Sequence, residues 1–196
     1  MNRQFWNDGY KKGIDYRQIS DEELEAILSK FPVKPNSALD IGCGIGELSR
    51  QLNNQSIKTT AIDLSDEAIL LARQQSPSDI NFIQFDVESD SLESLGNFDL
   101  ITMKLVFKFI QNKSELINNL HKILNKDGYL VITNTVVTNF ELAPAKIINI
   151  SVDDDMTMNV INFGFILVEK ITKHLSDYHN FVTYIFKKEN LHNFVT

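Results

Sequence analysis

The sequence predicts an α/β domain: a mostly parallel sheet with helices on both faces and an antiparallel last strand. Three observations carry this. Short apolar runs that read as buried strands alternate with amphipathic stretches that read as helices. The turn Asp40-Ile41-Gly42-Cys43-Gly44-Ile45-Gly46 sets three glycines at alternate positions between a strand and a helix. The last two strands have no room between them for a crossover helix, so the final one runs antiparallel.

Residues 1–18 mix Phe5, Trp6, Tyr10 and Tyr16 with lysines and glycines and show no clean period. Ser20-Asp21-Glu22-Glu23 is a capping box, and Leu24, Ile27, Leu28 and Phe31 then fall on one helical face until Pro32 and Pro35 end the helix. The first strand is Ala38 to Ile41, and Glu47 to Leu52 resumes with helical spacing. Lys58 to Asp63 is the second strand, and Ser65-Asp66-Glu67 opens a helix through Ile69, Leu70 and Ala72. Asn81 to Asp86 is the third strand, and Phe98 to Met103 the fourth. Lys113 to Asn125 carries Leu116, Ile117, Leu120 and Leu124 at helical spacing. Lys126-Asp127-Gly128 reads as a turn before a fifth strand, Tyr129 to Thr133. A helix is expected near Asp154–Phe163. Strands around Phe165–Thr172 and Phe181–Lys187 follow, joined by His174 to His179.

The 196 residues are expected to form one domain, with 1–32 as an N-terminal cap and helix and 33–196 as the sheet core. An apolar fraction of 43% and a charged fraction of 23% suit a soluble globular chain. The net charge of −7 argues against a broad basic surface for nucleic acid. The single cysteine, Cys43, excludes an internal disulfide and leaves no cysteine pair for zinc. No apolar run approaches the ~18 residues of a membrane helix, and the first residues contain no apolar signal core. The expectation is a cytoplasmic protein with no membrane or nucleic-acid partner, its oligomeric state open.

The glycine spacing narrows the ligand. A dinucleotide fingerprint needs glycine at position 47, where this chain has Glu47. What stands here, Asp40-x-Gly42-x-Gly44-x-Gly46, resembles motif I of the class I S-adenosylmethionine-dependent methyltransferases. From about Val33 onward the strand pattern also resembles theirs. The resemblance implies a Rossmann-like seven-stranded sheet of order 3-2-1-4-5-7-6, with S-adenosylmethionine as cofactor and S-adenosylhomocysteine as product.

The resemblance also implies which residues hold that cofactor. Gly42, Cys43, Gly44 and Gly46 would let its methionyl part lie against the main chain, with Asp40 ordering the site. Asp63, ending the second strand, would accept both ribose hydroxyls; a helix cap or a solvated loop acid is the competing account. Leu64 would pack on the adenine. Asp86 with Val87 would meet the adenine edge, unless Asp86 is a turn acid. Lys104 would sit beside the cofactor at the end of the fourth strand. Together Asp40, the glycines, Asp63 and Asp86 stand at three successive strand ends.

The acceptor is less legible, because in-line transfer from a sulfonium rests on positioning and needs a base only when the attacking atom must lose a proton. Lys104 and Lys108 either bind an anionic substrate or are surface lysines. Residues 134–152 are long for a connection and suit part of a lid, and Trp6, Tyr10 and Tyr16 either fold over the cleft or simply pack. His174 and His179 flank the last connection, while His121 and His192 read as solvated. Asp153-Asp154-Asp155 resembles a metal cluster but is better placed to feed a helix N-terminus with negative charge. No Asn/Asp-Pro-Pro-Tyr/Phe tetrapeptide follows the fourth strand, and Cys43 lies inside the glycine turn rather than apart as a nucleophile. The reading is therefore a methyltransferase acting on a small-molecule acceptor, against a regulatory protein that binds the cofactor without turnover. A nicotinamide module is disfavoured by Glu47.

Overall fold

The computed structural model describes residues 2–14 and 19–190. In chain order the elements are α1 (Arg3–Lys11), α2 (Asp21–Leu28), β1 (Ser37–Ile41), α3 (Glu47–Asn54), β2 (Lys58–Asp63), α4 (Asp66–Gln75), β3 (Asn81–Gln84) and β4 (Phe98–Lys104). There follow α5 (Lys113–Ile123), β5 (Leu124–Val137), α6 (Ala145–Ile150), α7 (Asp154–Met158), β6 (Phe165–Ser176) and β7 (His179–Lys188). Short 3-10 turns stand at Leu92–Leu95, Phe107–Phe109 and Asn159–Phe163.

The strands form one sheet in the order β3-β2-β1-β4-β5-β7-β6. The pairs from β3 to β5 are parallel, and β7 runs antiparallel to both β5 and β6, as the short last connection requires. The expected order and class stand. Register decides which side chains share a face. Asp40 pairs with Ala61 and Thr102, and Lys104 pairs with Thr133. Alternation along β1, β2 and β4 therefore puts Asp40, Asp63, Thr102 and Lys104 on one face, toward the carboxyl edge.

Each face buries its own helices. On the face of Asp40, Leu24 and Ile27 of α2 and Leu48 and Leu52 of α3 pack with Ala38, Leu100 and Val131. Beside them Ile69 and Ala72 of α4 cover Ala61 and Phe82. The opposite face seats Leu116, Ile117 and Leu120 of α5 on Leu39, Ile101, Leu130 and Ile132. Helix starts are fixed locally. Ser20 and Glu23 close a reciprocal capping box on α2, and the Ser65 hydroxyl accepts from the Ala68 amide at 3.1 Å to start α4.

The structure differs from the sequence reading in five places. Residues 3–11, which show no clean period, form α1, started by the Asn2 side chain accepting from the Phe5 amide. Lys126-Asp127-Gly128 is not a free turn: β5 begins at Leu124 and passes through it, with a register shift against β4 and Asp127 at φ 62°. A short helix, α6, interrupts the long connection after β5, and the helix expected at 154–163 is split into α7 and a 3-10 turn. The last connection is tighter than expected, so His174 and His179 stand on β6 and β7 rather than in a loop.

Candidate functional site

A cleft of about 880 Å³ opens at the carboxyl ends of β1, β2 and β4, where the strand order reverses. Its floor is the turn after β1. Gly42 and Gly44 take φ of 68° and 55°, conformations that side chains rarely adopt. Both also meet close neighbours: a Cβ on Gly42 would lie 2.1 Å from Val106, and one on Gly44 would lie 2.9 Å from the Tyr10 hydroxyl. The turn is pinned to β2 from below, since the Gly42 and Cys43 amides donate to the Ile62 carbonyl at 2.7 and 3.0 Å.

Two buried acids border this floor. Asp40 accepts from the Ser49 hydroxyl at 2.7 Å and from the Thr102 hydroxyl at 2.8 Å, tying β1 to α3 and β4. Burial pushes its carboxyl above the ordinary range, against the pull of those two hydroxyls and of the Lys104 charge. Asp63 accepts from the Gly44 amide at 2.9 Å and the Ser65 amide at 2.9 Å, so it ties the glycine turn to the end of β2. Burial outweighs those two donors and pushes Asp63 up to about 6. A ligand that brings hydroxyl groups to this carboxylate adds donors to its charged form. Cys43 lies between these acids, and burial together with their negative charge pushes its thiol up, which disarms it as a nucleophile.

The remaining walls are apolar. Leu64, Phe85 and Val87 line the end near β2 and β3; Leu105, Val106 and Phe109 line the end near β4. Leu105 holds a left-handed φ of 60°, fixed by its amide donating to the Thr133 carbonyl at 2.8 Å. Helix α1 covers the opening. Trp6 and Tyr10 line the cleft, Trp6 meets Phe109 edge-on with centroids 4.9 Å apart, and Asn7 accepts from the Ser65 hydroxyl at 2.6 Å.

Of the residues singled out in the sequence, Asp40, Gly42, Cys43, Gly44, Asp63, Leu64, Val87 and Lys104 line this one cleft. Two others lie outside its lining. Gly46, at φ 82°, starts α3 and turns toward α4 and β3: a Cβ there would lie 2.7 Å from the Phe82 ring. Asp86 stands between the lining residues Phe85 and Val87, but its carboxylate accepts from the Glu88 amide at 3.0 Å. Lys108 is exposed and borders no part of the cleft. His174 and His179 bond to Asn180 and Ser176 within the β6–β7 hairpin, and His121 packs edge-on against Phe165. Asp153 caps the Asp155 amide and Asp154 pairs with Lys170 at 2.7 Å; no metal-binding cluster occurs among the described residues. Tyr16 and His192 lie outside the described residues. Phe85, Leu105, Val106 and Phe109 were not legible as individual contacts, since a residue's side of the strand end depends on the turn that follows it.

Residues 39–132, which hold the glycine turn, both buried acids and the first four parallel strands, match the family described as "Methyltransferase domain". The matched region belongs to the class I S-adenosylmethionine-dependent methyltransferases. Among the relatives of this chain is the malonyl-[acyl-carrier protein] O-methyltransferase of Paenibacillus sp., 35% identical over 148 residues, with 68% of this chain and 53% of the relative covered. The trans-aconitate 2-methyltransferase of Deinococcus radiodurans is 29% identical over 131 residues, covering 65% of this chain and 48% of that one. The chain thus spans about half the length of these curated relatives. In fold, the chain superposes on the N-methyltransferase NodS from Bradyrhizobium japonicum WM9 in complex with S-adenosylhomocysteine, with a TM-score of 0.69 and 20% identity, covering 87% of this chain and 86% of that chain. Among the described residues no helix is long and apolar enough to cross a membrane.

Proposed function

We propose that this protein transfers the methyl group of S-adenosylmethionine to a small-molecule acceptor. The observation that carries the reading is Asp63: a buried carboxylate at the end of β2, bonded to the Gly44 amide and pushed up to about 6, on the wall of a cleft floored by glycines. That arrangement suits a ligand presenting a pair of vicinal hydroxyls beside a part that must lie flat on the main chain.

In this reading Asp63 accepts from the two ribose hydroxyls, which adds donors to its charged form. Leu64, Phe85 and Val87 enclose the purine, and Asp86 stands nearest its edge. Gly42, Cys43 and Gly44 lie under the methionyl part, with Gly46 setting the start of α3 behind them. Asp40 acts through Ser49 and Thr102, holding β1, α3 and β4 in register beneath the turn. Lys104 stands where the methionyl end meets the acceptor. Bound S-adenosylmethionine supplies a methyl carbon activated by a sulfonium leaving group. The protein contributes alignment and exclusion of water, through Val106 and Phe109 from one side and Trp6 and Tyr10 of α1 from the other.

One curated relative is named as an O-methyltransferase, another as a 2-methyltransferase, and NodS is an N-methyltransferase, so the acceptor half of the site is particular to each. The test is calorimetric titration of the folded protein with S-adenosylmethionine, S-adenosylhomocysteine and NAD. Both adenosyl compounds are expected to bind and NAD is not, and Asp63→Ala is expected to remove the adenosyl binding. A flat titration with S-adenosylhomocysteine at millimolar concentration overturns the proposal.

A further inference from the structure

The two edges of the sheet are built differently. β3 is four residues long, and Arg73 of α4 donates to its Phe82 carbonyl at 2.5 Å. β6 forms the other edge and runs for twelve residues. A strand in that position presents a row of amides and carbonyls to any further strand. Two bulges, one between Leu167 and Glu169 and one between His174 and Ser176, bracket a regular window of residues 169–174. Register sets what that window presents. Glu169, Ile171 and Lys173 lie on the face of α2: Ile171 packs with its cluster, Lys30 pairs with Glu169 at 3.1 Å, and Lys173 pairs with Glu23 at 2.6 Å. Glu169 and Lys173 keep 41% and 44% of their side-chain surface exposed, so each has room for a second partner. Lys170 lies on the other face, with Asp154 at 2.7 Å.

We infer that β6 pairs antiparallel with the β6 of a second copy of this chain, about a two-fold axis through Ile171. Directly opposed residues of an antiparallel pair share a face, so a two-fold axis normal to the sheet passes through one residue and sets it against itself. An axis at Glu169, Lys170 or Lys173 opposes a charge to its own copy. An axis at Thr172 opposes Lys170 to His174 and Ile171 to Lys173. An axis at Ile171 opposes Ile171 to Ile171, Lys170 to Thr172, and Glu169 to Lys173 twice. On the face of α2 each of those contacts extends an existing pair into a row of alternating sign: Lys30, Glu169, then Lys173 and Glu23 of the second copy. Such rows contribute more than isolated surface pairs. The bulges end the pairing at both sides of the window, and the β3 edge is blunted, so association closes at a dimer. β5 and β7 stand between β6 and the strands that build the cleft, so the cleft stays open in the dimer and this inference is independent of the function proposed above.

The experiment is sedimentation velocity of the whole protein from micromolar to submillimolar concentration. The parent is expected to move from monomer to dimer across that range and to form nothing larger. Glu169→Lys and Lys173→Glu each turn two attractive contacts into two repulsive ones and are expected to weaken the dimer about tenfold. The double variant Glu169→Lys with Lys173→Glu is expected to return to within about threefold of the parent. Its pairs with Lys30 and Glu23 stay lost, so only contacts between copies are restored. A second readout fixes the register. Opposed residues have Cα atoms about 4.5–5.5 Å apart, within reach of a disulfide. Ile171→Cys is therefore expected to oxidise to a covalent dimer, while Val168→Cys and the parent, with its one cysteine at Cys43, are not. A parent that stays monomeric throughout would leave the edge to an extended segment of some other protein and overturns the inference. So does a dimer indifferent to the single variants, a double variant as weak as either single one, an open-ended polymer, or an Ile171→Cys protein that does not cross-link.

Discussion

Asp63 makes the site sensitive to pH in a direction that follows from its burial. Its carboxyl sits at about 6 in the folded chain against an ordinary 3.8. Between those values the folded state holds a proton that the unfolded state has lost. The stability contributed by this group is therefore present below the window and declines as pH rises through it, by about 3 kcal/mol at most. Ligand binding has the opposite sign, because only the ionised carboxylate accepts from both ribose hydroxyls. The calorimetric Kd for S-adenosylhomocysteine is expected to be about tenfold weaker at pH 5 than at pH 7 and level above that; an unchanged Kd at pH 5 would remove Asp63 from the ribose. Gly46 illustrates where reading by pattern stops. The spacing that singles out Gly42 and Gly44 singles out Gly46 as well, and only the fold shows that its missing Cβ makes room for Phe82. Gly46→Ala, at φ 82° and 2.7 Å from that ring, is expected to cost about 1–3 kcal/mol in urea unfolding. Its effect on S-adenosylhomocysteine affinity is expected to stay under about threefold.

The elements that position the cofactor were legible because local and global preferences agree. β1, β2 and β4 are short strands with an acid or a lysine at or next to their carboxyl ends, and the glycine turn allows few other conformations. The elements that cover the site were not, and α1 shows why. Tyr10 is its one buried residue, so the helix has no apolar stripe to read. It is held by contacts distant in sequence: Asn7 with Ser65, Trp6 with Phe109, and Tyr10 with Gly44. The sole tryptophan of the chain therefore reports on closure of the cleft. Trp6 emission is expected to shift when S-adenosylhomocysteine binds. Asn7→Ala, which removes the acceptor of the Ser65 hydroxyl, is expected to speed ligand release about tenfold in stopped flow with association little altered. An unaltered release rate would mean that α1 packs beside the cleft without gating it. Residues 145–150 resist reading for a related reason, since α6 buries none of its side chains.

Across the whole molecule, the cleft and a second polar cluster stand in different halves of one sheet, so binding is separable by substitution from the stability that this cluster contributes. The cleft belongs to β1, β2 and β4. The long strands β5, β6 and β7 carry a polar cluster of their own on the opposite face from Asp40. There the fully buried Tyr184 donates its hydroxyl to Asp154, which also pairs with Lys170, while Asn134 donates to Thr157 at 2.9 Å. These bonds fasten α7 to the sheet and line no part of the cleft. Tyr184→Phe keeps the ring and removes the hydroxyl, with an expected loss of about 1–2 kcal/mol and a fall in Tm of several degrees. A ligand at 100 times its Kd adds about 2.7 kcal/mol whatever the starting stability. The rise in Tm produced by S-adenosylhomocysteine should therefore be nearly the same in Tyr184→Phe as in the parent. Asp63→Ala should show the converse, a folded protein whose Tm no longer responds to the ligand. If Tyr184→Phe also abolished the response, the two halves of the sheet would be acting as one unit. The cleft would then depend on packing well beyond the side chains that line it.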